Sequence, residues 1–189
     1  VSSLKLKIYK FAVSASADCS SPITVYENSS PSYSEFGSVS TIGSGDLADG
    51  SYPCIMFEIS DLVKFTPSVG DSDQCVAGEE ETLEVCADHG SGFPAYQLIN
   101  GTTGTCTSGD DHIGMYISTN STTVGGGSGN NVFLPPASAG DATRGLNLNG
   151  AFTVNGTALA VLHVVPPDSV ATDSGRCDMQ PPSFSFSDE

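Results

Sequence analysis

Apolar residues in this chain recur in short runs with a period of two, and glycine, proline, asparagine or aspartate ends most runs. Leu4, Leu6 and Ile8 alternate with Lys5, Lys7 and Tyr9, as side chains do on a strand with one buried face. The phase changes at Phe11 and Val13, which predicts either a bulge near Lys10 or a strand covered on both faces. Tyr52–Ser60 is the strongest apolar run, with Ile55, Phe57 and Ile59 on one face and Cys54, Met56 and Glu58 on the other. Both faces are largely apolar, so this strand is expected at the centre of a sheet. The Lys-bearing first strand is expected near an edge, where lysine discourages pairing with another chain.

Further strands are predicted at Ile23–Tyr26, Ser38–Ile42, Val63–Thr66, Thr82–Cys86, Ala95–Ile99, Ile113–Thr119, Val132–Leu134 and around Phe184 and Phe186. Gly150–Val154, the Asn155-Gly156 turn and Thr157–Val165 read as a hairpin. No segment carries an apolar stripe at helical spacing over three turns. The expected fold is therefore all-β: one antiparallel β-sandwich domain, Ig-like or jelly-roll-like, over residues 1–189.

Six cysteines stand at positions 19, 54, 75, 86, 106 and 177, an even number with no CxxC pair and no histidine at zinc-finger spacing. Three disulfides in an oxidising compartment are expected. Sequence cannot choose among the 15 pairings that six cysteines allow. Short spacing favours Cys75–Cys86, with Cys19–Cys54 and Cys106–Cys177 as the remaining pairs. The last pair would tie down the C-terminal segment and stabilise by roughly 4 kcal/mol.

Charge narrows the partners. Six Lys and Arg face 22 Asp and Glu, a net charge of −16. Lys5, Lys7 and Lys10 all precede residue 11, so the rest of the chain stands at 3 − 22 = −19. Such a surface repels nucleic-acid phosphates and anionic lipid. It suits solubility in a salty exterior, a cation or a basic partner. No run of 18 apolar residues is present, so no transmembrane helix is expected. The chain begins at Val1 rather than Met, and is read as one whose export signal has been removed.

No local motif announces catalysis. Gly90-Ser91-Gly92 and Gly127-Ser128-Gly129 are loop glycines around a serine, not a nucleophile elbow. Three histidines occur, His89, His112 and His163, the last inside an apolar strand. Acidic groups cluster at Asp71, Asp73 and Glu79-Glu80-Glu81, and again at Asp110-Asp111 beside His112. Asp71, Asp73, Asp110 and Asp111 are the candidate metal ligands, and Ca²⁺ is the cation that carboxylates on such loops would take. A copper site from His112 with Met115 or Met179 has permissive but undiagnostic spacing. With 22 acids, a glycosidase-like carboxylate pair arises by chance. Four N-x-S/T sequons, at Asn28, Asn100, Asn120 and Asn155, would carry glycans only in a eukaryotic secretory route.

Several segments carry a resemblance: Leu4-Lys5-Leu6-Lys7-Ile8-Tyr9, Gly50-Ser51-Tyr52-Pro53-Cys54, Phe65-Thr66-Pro67, and the run from Cys177 to Phe186. In these the chain resembles exported bacterial cell-envelope proteins, often lipoproteins, of unassigned function. The resemblance covers about a third of the chain. It implies an envelope location and a lipid anchor upstream of Val1, and carries over no functional residue.

Two function classes follow. The first is a non-catalytic envelope or adhesion module that binds a glycan or a cell-surface protein through loops Asn28–Gly50, Asp88–Ala95 and Asn120–Asn131. Tyr33, Phe36, Phe93 and Tyr96 would stack on sugar rings or plug the ends of the fold. The second is a secreted hydrolase acting on a surface polymer, which requires histidine and carboxylates to converge.

Overall fold

The computed structural model describes residues 1–36, 47–71, 74–86, 94–123, 131–156, 160–165, 170–173, 176–179 and 183–188, with only the backbone given for most of the last four stretches. Among the described residues the chain is all β, with no helix. The strands are β1 (Ser3–Leu6), β2 (Ile8–Ser14), β3 (Ile23–Glu27), β4 (Ser34–Glu35), β5 (Gly50–Tyr52), β6 (Cys54–Ser60), β7 (Leu62–Thr66) and β8 (Glu81–Glu84). They continue with β9 (Ala95–Gln97), β10 (Thr103–Thr105), β11 (His112–Ser118), β12 (Leu146–Asn147), β13 (Phe152–Val154), β14 (Ala160–Val165), β15 (Val170–Asp173), β16 (Arg176–Met179) and β17 (Ser183–Asp188).

Two sheets organise the fold, one in the order β4-β1-β7-β8 and one in the order β12-β11-β6-β2-β3. All their pairings are antiparallel except β11 with β12. β1 and β2 are separated only by Lys7, and β6 and β7 only by Asp61. Because β1 pairs with β7 and β2 pairs with β6, one long two-stranded ribbon passes from sheet to sheet, bending at Lys7 and Asp61. Strands that switch sheets at a bend form the corners of packed β-sheets. The Ser60 amide donates to the Lys7 carbonyl across this corner, at 3.1 Å.

The period-two pattern now has its cause. Ile8/Ile59/Ile113, Phe11/Phe57/Met115 and Val13/Ile55/Ile117 form three cross-strand rows on one face of the five-stranded sheet. Leu4, Leu6, Val63, Phe65 and Leu83 come from the other sheet into the same buried cluster as Ile8, Val13, Ile55, Phe57, Ile59, Ile113 and Ile117. The phase change in the first strand is a bulge. Ile8 pairs with Ile59 and Lys10 with Glu58, leaving Tyr9 as the extra residue. β6 lies at the centre of its sheet and is buried along its whole length. The lysine-bearing strands β1 and β2 are each one strand in from an edge.

Three expectations need correction. Cys19–Cys54 forms as expected, but the other bonds are Cys75–Cys177 and Cys86–Cys106, not Cys75–Cys86 and Cys106–Cys177. Short spacing favours closure only in a flexible loop, and here β8 runs extended between Cys75 and Cys86, carrying them apart. The hairpin around Asn155-Gly156 is not formed. β13 pairs instead with β5, and β14 with β17. Only Gly156 of that turn has positive φ (66°), where a two-residue type I′ hairpin needs it at both central positions. Val132–Leu134 is a turn next to an isolated bridge at Asn131, not a strand. The strand expected at Ser38–Ile42 lies outside the described residues.

Candidate functional site

The other face of the five-stranded sheet is where polar chemistry gathers. Pairing register puts Lys10, Glu58 and Gly114 in one row, Ala12, Met56 and Tyr116 in the next, and Ser60 opposite His112. The segment around β9 lies over this face. A Cβ on Gly114 would collide with the Gln97 carbonyl oxygen, so glycine is what lets the two backbones approach. The Tyr116 hydroxyl donates to the Gln97 carbonyl at 3.0 Å, and Ile99 packs with Ala12, Met56 and Tyr116. Burial, aided by the Glu58 charge, pushes the Tyr116 phenol well above its ordinary range.

This cover buries Glu58, whose side chain is 5% exposed, and supplies its partners. Oε1 accepts the Ile99 amide at 2.8 Å. Oε2 lies 3.1 Å from Nε2 of His112, a contact off the hydrogen-bond direction that pairs opposite charges only when the imidazole is protonated. Burial alone would raise the Glu58 pKa, but His112, the Ile99 amide and the Lys10 charge outweigh it and hold the carboxyl below its ordinary range. His112 is 40% exposed and stacks on the bulged Tyr9, with ring centroids 4.1 Å apart. The bulge thus aims an aromatic ring at the imidazole.

A second group of side chains surrounds the sheet-switching corner. The Ser60 hydroxyl donates to Asp110 Oδ1 at 2.5 Å, and Lys7 Nζ reaches Asp110 Oδ2 at 3.0 Å. The Ser60 bond outweighs partial burial and, with Lys7, holds the Asp110 carboxyl below its ordinary range. Asp111 accepts the Thr107 amide and hydroxyl. Asp61 has no exposed surface, and only one of its carboxylate oxygens has a hydrogen-bond partner. Burial pushes its carboxyl up to about 7 despite the Asp111 amide, and the charges of Asp111, Glu84 and Asp110 push the same way.

The corner therefore gathers His112, Asp110 and Asp111 from the sequence candidates. Asp71 is exposed beyond the far end of β7, in another part of the fold, and Asp73 lies outside the described residues. Among the described residues, no three His, Cys, Asp or Glu side chains group as a metal ion requires. His89 and Phe93 also lie outside the described residues, and His163 stands opposite Ser185 in the β14–β17 ribbon. Phe36 is buried in the main core. Two lysines lie against the Tyr33 ring, Lys7 Nζ 4.9 Å and Lys64 Nζ 5.0 Å from its centroid. The Tyr96 ring covers Gly104 on the neighbouring strand, where a Cβ would strike it.

No family model, curated protein or solved structure matches the chain. Three disulfides fit an oxidising, extracytoplasmic compartment. Among the described residues no helix is long and apolar enough to cross a membrane.

Glu58, Ser60, Asp61, Lys7 and Tyr9 were not singled out as site residues from sequence. One signal was available: Glu58 interrupts the apolar run Ile55-Met56-Phe57-Glu58-Ile59, and an acid buried in a central strand requires partners. Asp61 gave no such signal, because an aspartate between two strands reads as an ordinary turn residue.

Proposed function

We propose that this chain is a non-catalytic, extracytoplasmic binding module of the cell envelope, built as an antiparallel β-sandwich, that engages a basic surface on a partner protein. The observation that carries the reading is how the lysines are used. Lys5 and Lys64 both pair with Glu80, Lys7 with Asp110, and Lys10 with Glu27. All four lysines are thus paired within the fold, in a chain whose acids leave it at a net charge of −16. A field of one sign steers a partner of the opposite sign and speeds encounter. The core shared by both sheets supports the sandwich.

A protein partner fits better than a glycan. Of the aromatics suited to stacking on sugars, Phe36 is buried and the Tyr33 ring already carries two ammonium groups within about 5 Å of its centroid. The test is one array carrying lysine- and arginine-rich peptides, acidic peptides and glycans, probed at low and high salt. Selective binding to the basic peptides, weakened by salt, is expected. Binding to glycans alone would overturn the reading.

One observation favours the second reading, a hydrolase: a half-exposed His112 held by a buried carboxylate, Glu58. The hydroxyl opposite it, Ser60, is buried and donates to Asp110, which commits it to structure. Hydrolysis of a surface polymer by the purified chain, abolished in His112→Ala, would establish the enzyme.

A further inference from the structure

The bend between β6 and β7 places a carboxyl group where the fold can least accommodate a charge. Asp61 is the single residue between the two strands, and it is fully buried. It joins three segments. Its amide donates to the Asp111 carbonyl at 3.0 Å, and its carbonyl accepts the Val85 amide at 2.9 Å. Its Oδ1 accepts the Asp111 amide at 2.7 Å. Oδ2 is buried without a hydrogen-bond partner. Val85 directly precedes Cys86, whose bond to Cys106 closes the same corner covalently.

The charged groups around Asp61 do not favour its ionisation. Asp110 and Asp111 approach from the loop before β11, and Glu84 from β8. Lys7, at the neighbouring bend, is paired with Asp110. Lys64 of β7 is paired with Glu80, and His112 of β11 faces Glu58 of β6. Burying an ionised carboxylate with one oxygen unpaired is costly, whereas the neutral acid is tolerated.

We propose that Asp61 is a proton-operated latch on the corner where the long ribbon changes sheets. With its carboxyl protonated the latch holds β6–β7, the loop before β11 and the end of β8 together, and ionisation loosens all three. The carboxyl titrates at about 7 in the folded chain against about 3.9 when exposed. Its folded value is raised, so its stabilising effect is complete below the exposed value and is lost as pH rises through the folded one. Within that window local opening releases a proton, and the opening constant grows about tenfold per pH unit, then levels off above about 7.

The test is amide hydrogen exchange at Val85 and Asp111 between acid and mildly alkaline pH, corrected for intrinsic base catalysis. It compares the wild type with Asp61→Asn, which keeps the shape and the Oδ1 acceptor of the protonated acid. The wild type is expected to show the tenfold-per-unit rise and D61N a flat profile. Identical profiles would overturn the proposal. Should D61N fail to fold, the ¹³C carboxyl resonance of Asp61 in the wild type decides. A midpoint near neutral supports the latch, and one in the ordinary aspartate range overturns it.

Discussion

Glu58 reaches in two directions at once: one carboxylate oxygen accepts the Ile99 amide at 2.8 Å, and the other lies 3.1 Å from Nε2 of His112. The first contact pins the β9 segment to the outer face of the sheet. The second holds the imidazole against Tyr9. Replacing Glu58 by Ala strands a buried amide, and should cost about 2 kcal/mol in chemical denaturation. Glu58→Gln keeps the acceptor for Ile99 and should cost less.

The same pair sets an acid limit. Glu58 is held below its ordinary pKa in the folded chain, so its contribution is complete above the unfolded value, about 4.3. It is lost as pH falls below that value through the folded one. Denaturation between pH 3 and 6, about that range, should show a smaller acid-side loss in E58Q than in the wild type. Equal losses would remove Glu58 from the account of acid sensitivity.

Gly114 tests the packing over that face. Its Cβ position is occupied by the Gln97 carbonyl oxygen, a backbone atom that cannot swing aside. Gly114→Ala should therefore destabilise by about 3 kcal/mol or displace the β9 segment, exposing the Tyr116 ring. Quenching by a neutral solute of the tyrosine emission, compared with that of a Tyr116→Phe background to isolate the Tyr116 share of the six tyrosines, separates the two effects. A variant as stable as the wild type, with no added quenching, would show that the segments do not touch as described.

The Cys75–Cys177 bond spans 102 residues and ties β16 beside the four-stranded sheet. Removing it as Cys75→Ser with Cys177→Ser should cost about 4 to 5 kcal/mol by loop-closure entropy. The double variant should melt well below the wild type in calorimetry, and release of the C-terminal ribbon should show as faster proteolysis after residue 156.

How much of this was legible in the sequence depends on the range of the contact involved. Leu4 and Leu6, Ile55 to Ile59, and Ile113 to Ile117 announced their strands because a period-two pattern is a local record of one buried face. The bulge at Tyr9 showed as a change of phase. Pairing partners left no such record. The run Gly150–Val154 reads as half of a local hairpin, yet β13 joins β5, about a hundred residues earlier. Two of the three disulfide pairings are hidden for the same reason: spacing measures loop entropy, while β8 decides where Cys86 stands. Asp110 and Asp111 were visible as an acidic pair, but their neighbours Ser60, Asp61 and Lys7 come from a strand end and two bends about 50 to 100 residues away in sequence.

Peptide mapping of the unreduced protein tests the architecture most directly, because each disulfide reports one long-range placement. Three cross-linked pairs are expected, Cys19–Cys54, Cys75–Cys177 and Cys86–Cys106, with no free thiol. A Cys75–Cys86 or Cys106–Cys177 linkage in the native protein would contradict this architecture. Such a linkage would unseat β8 from β7, and with it the corner that holds Asp61.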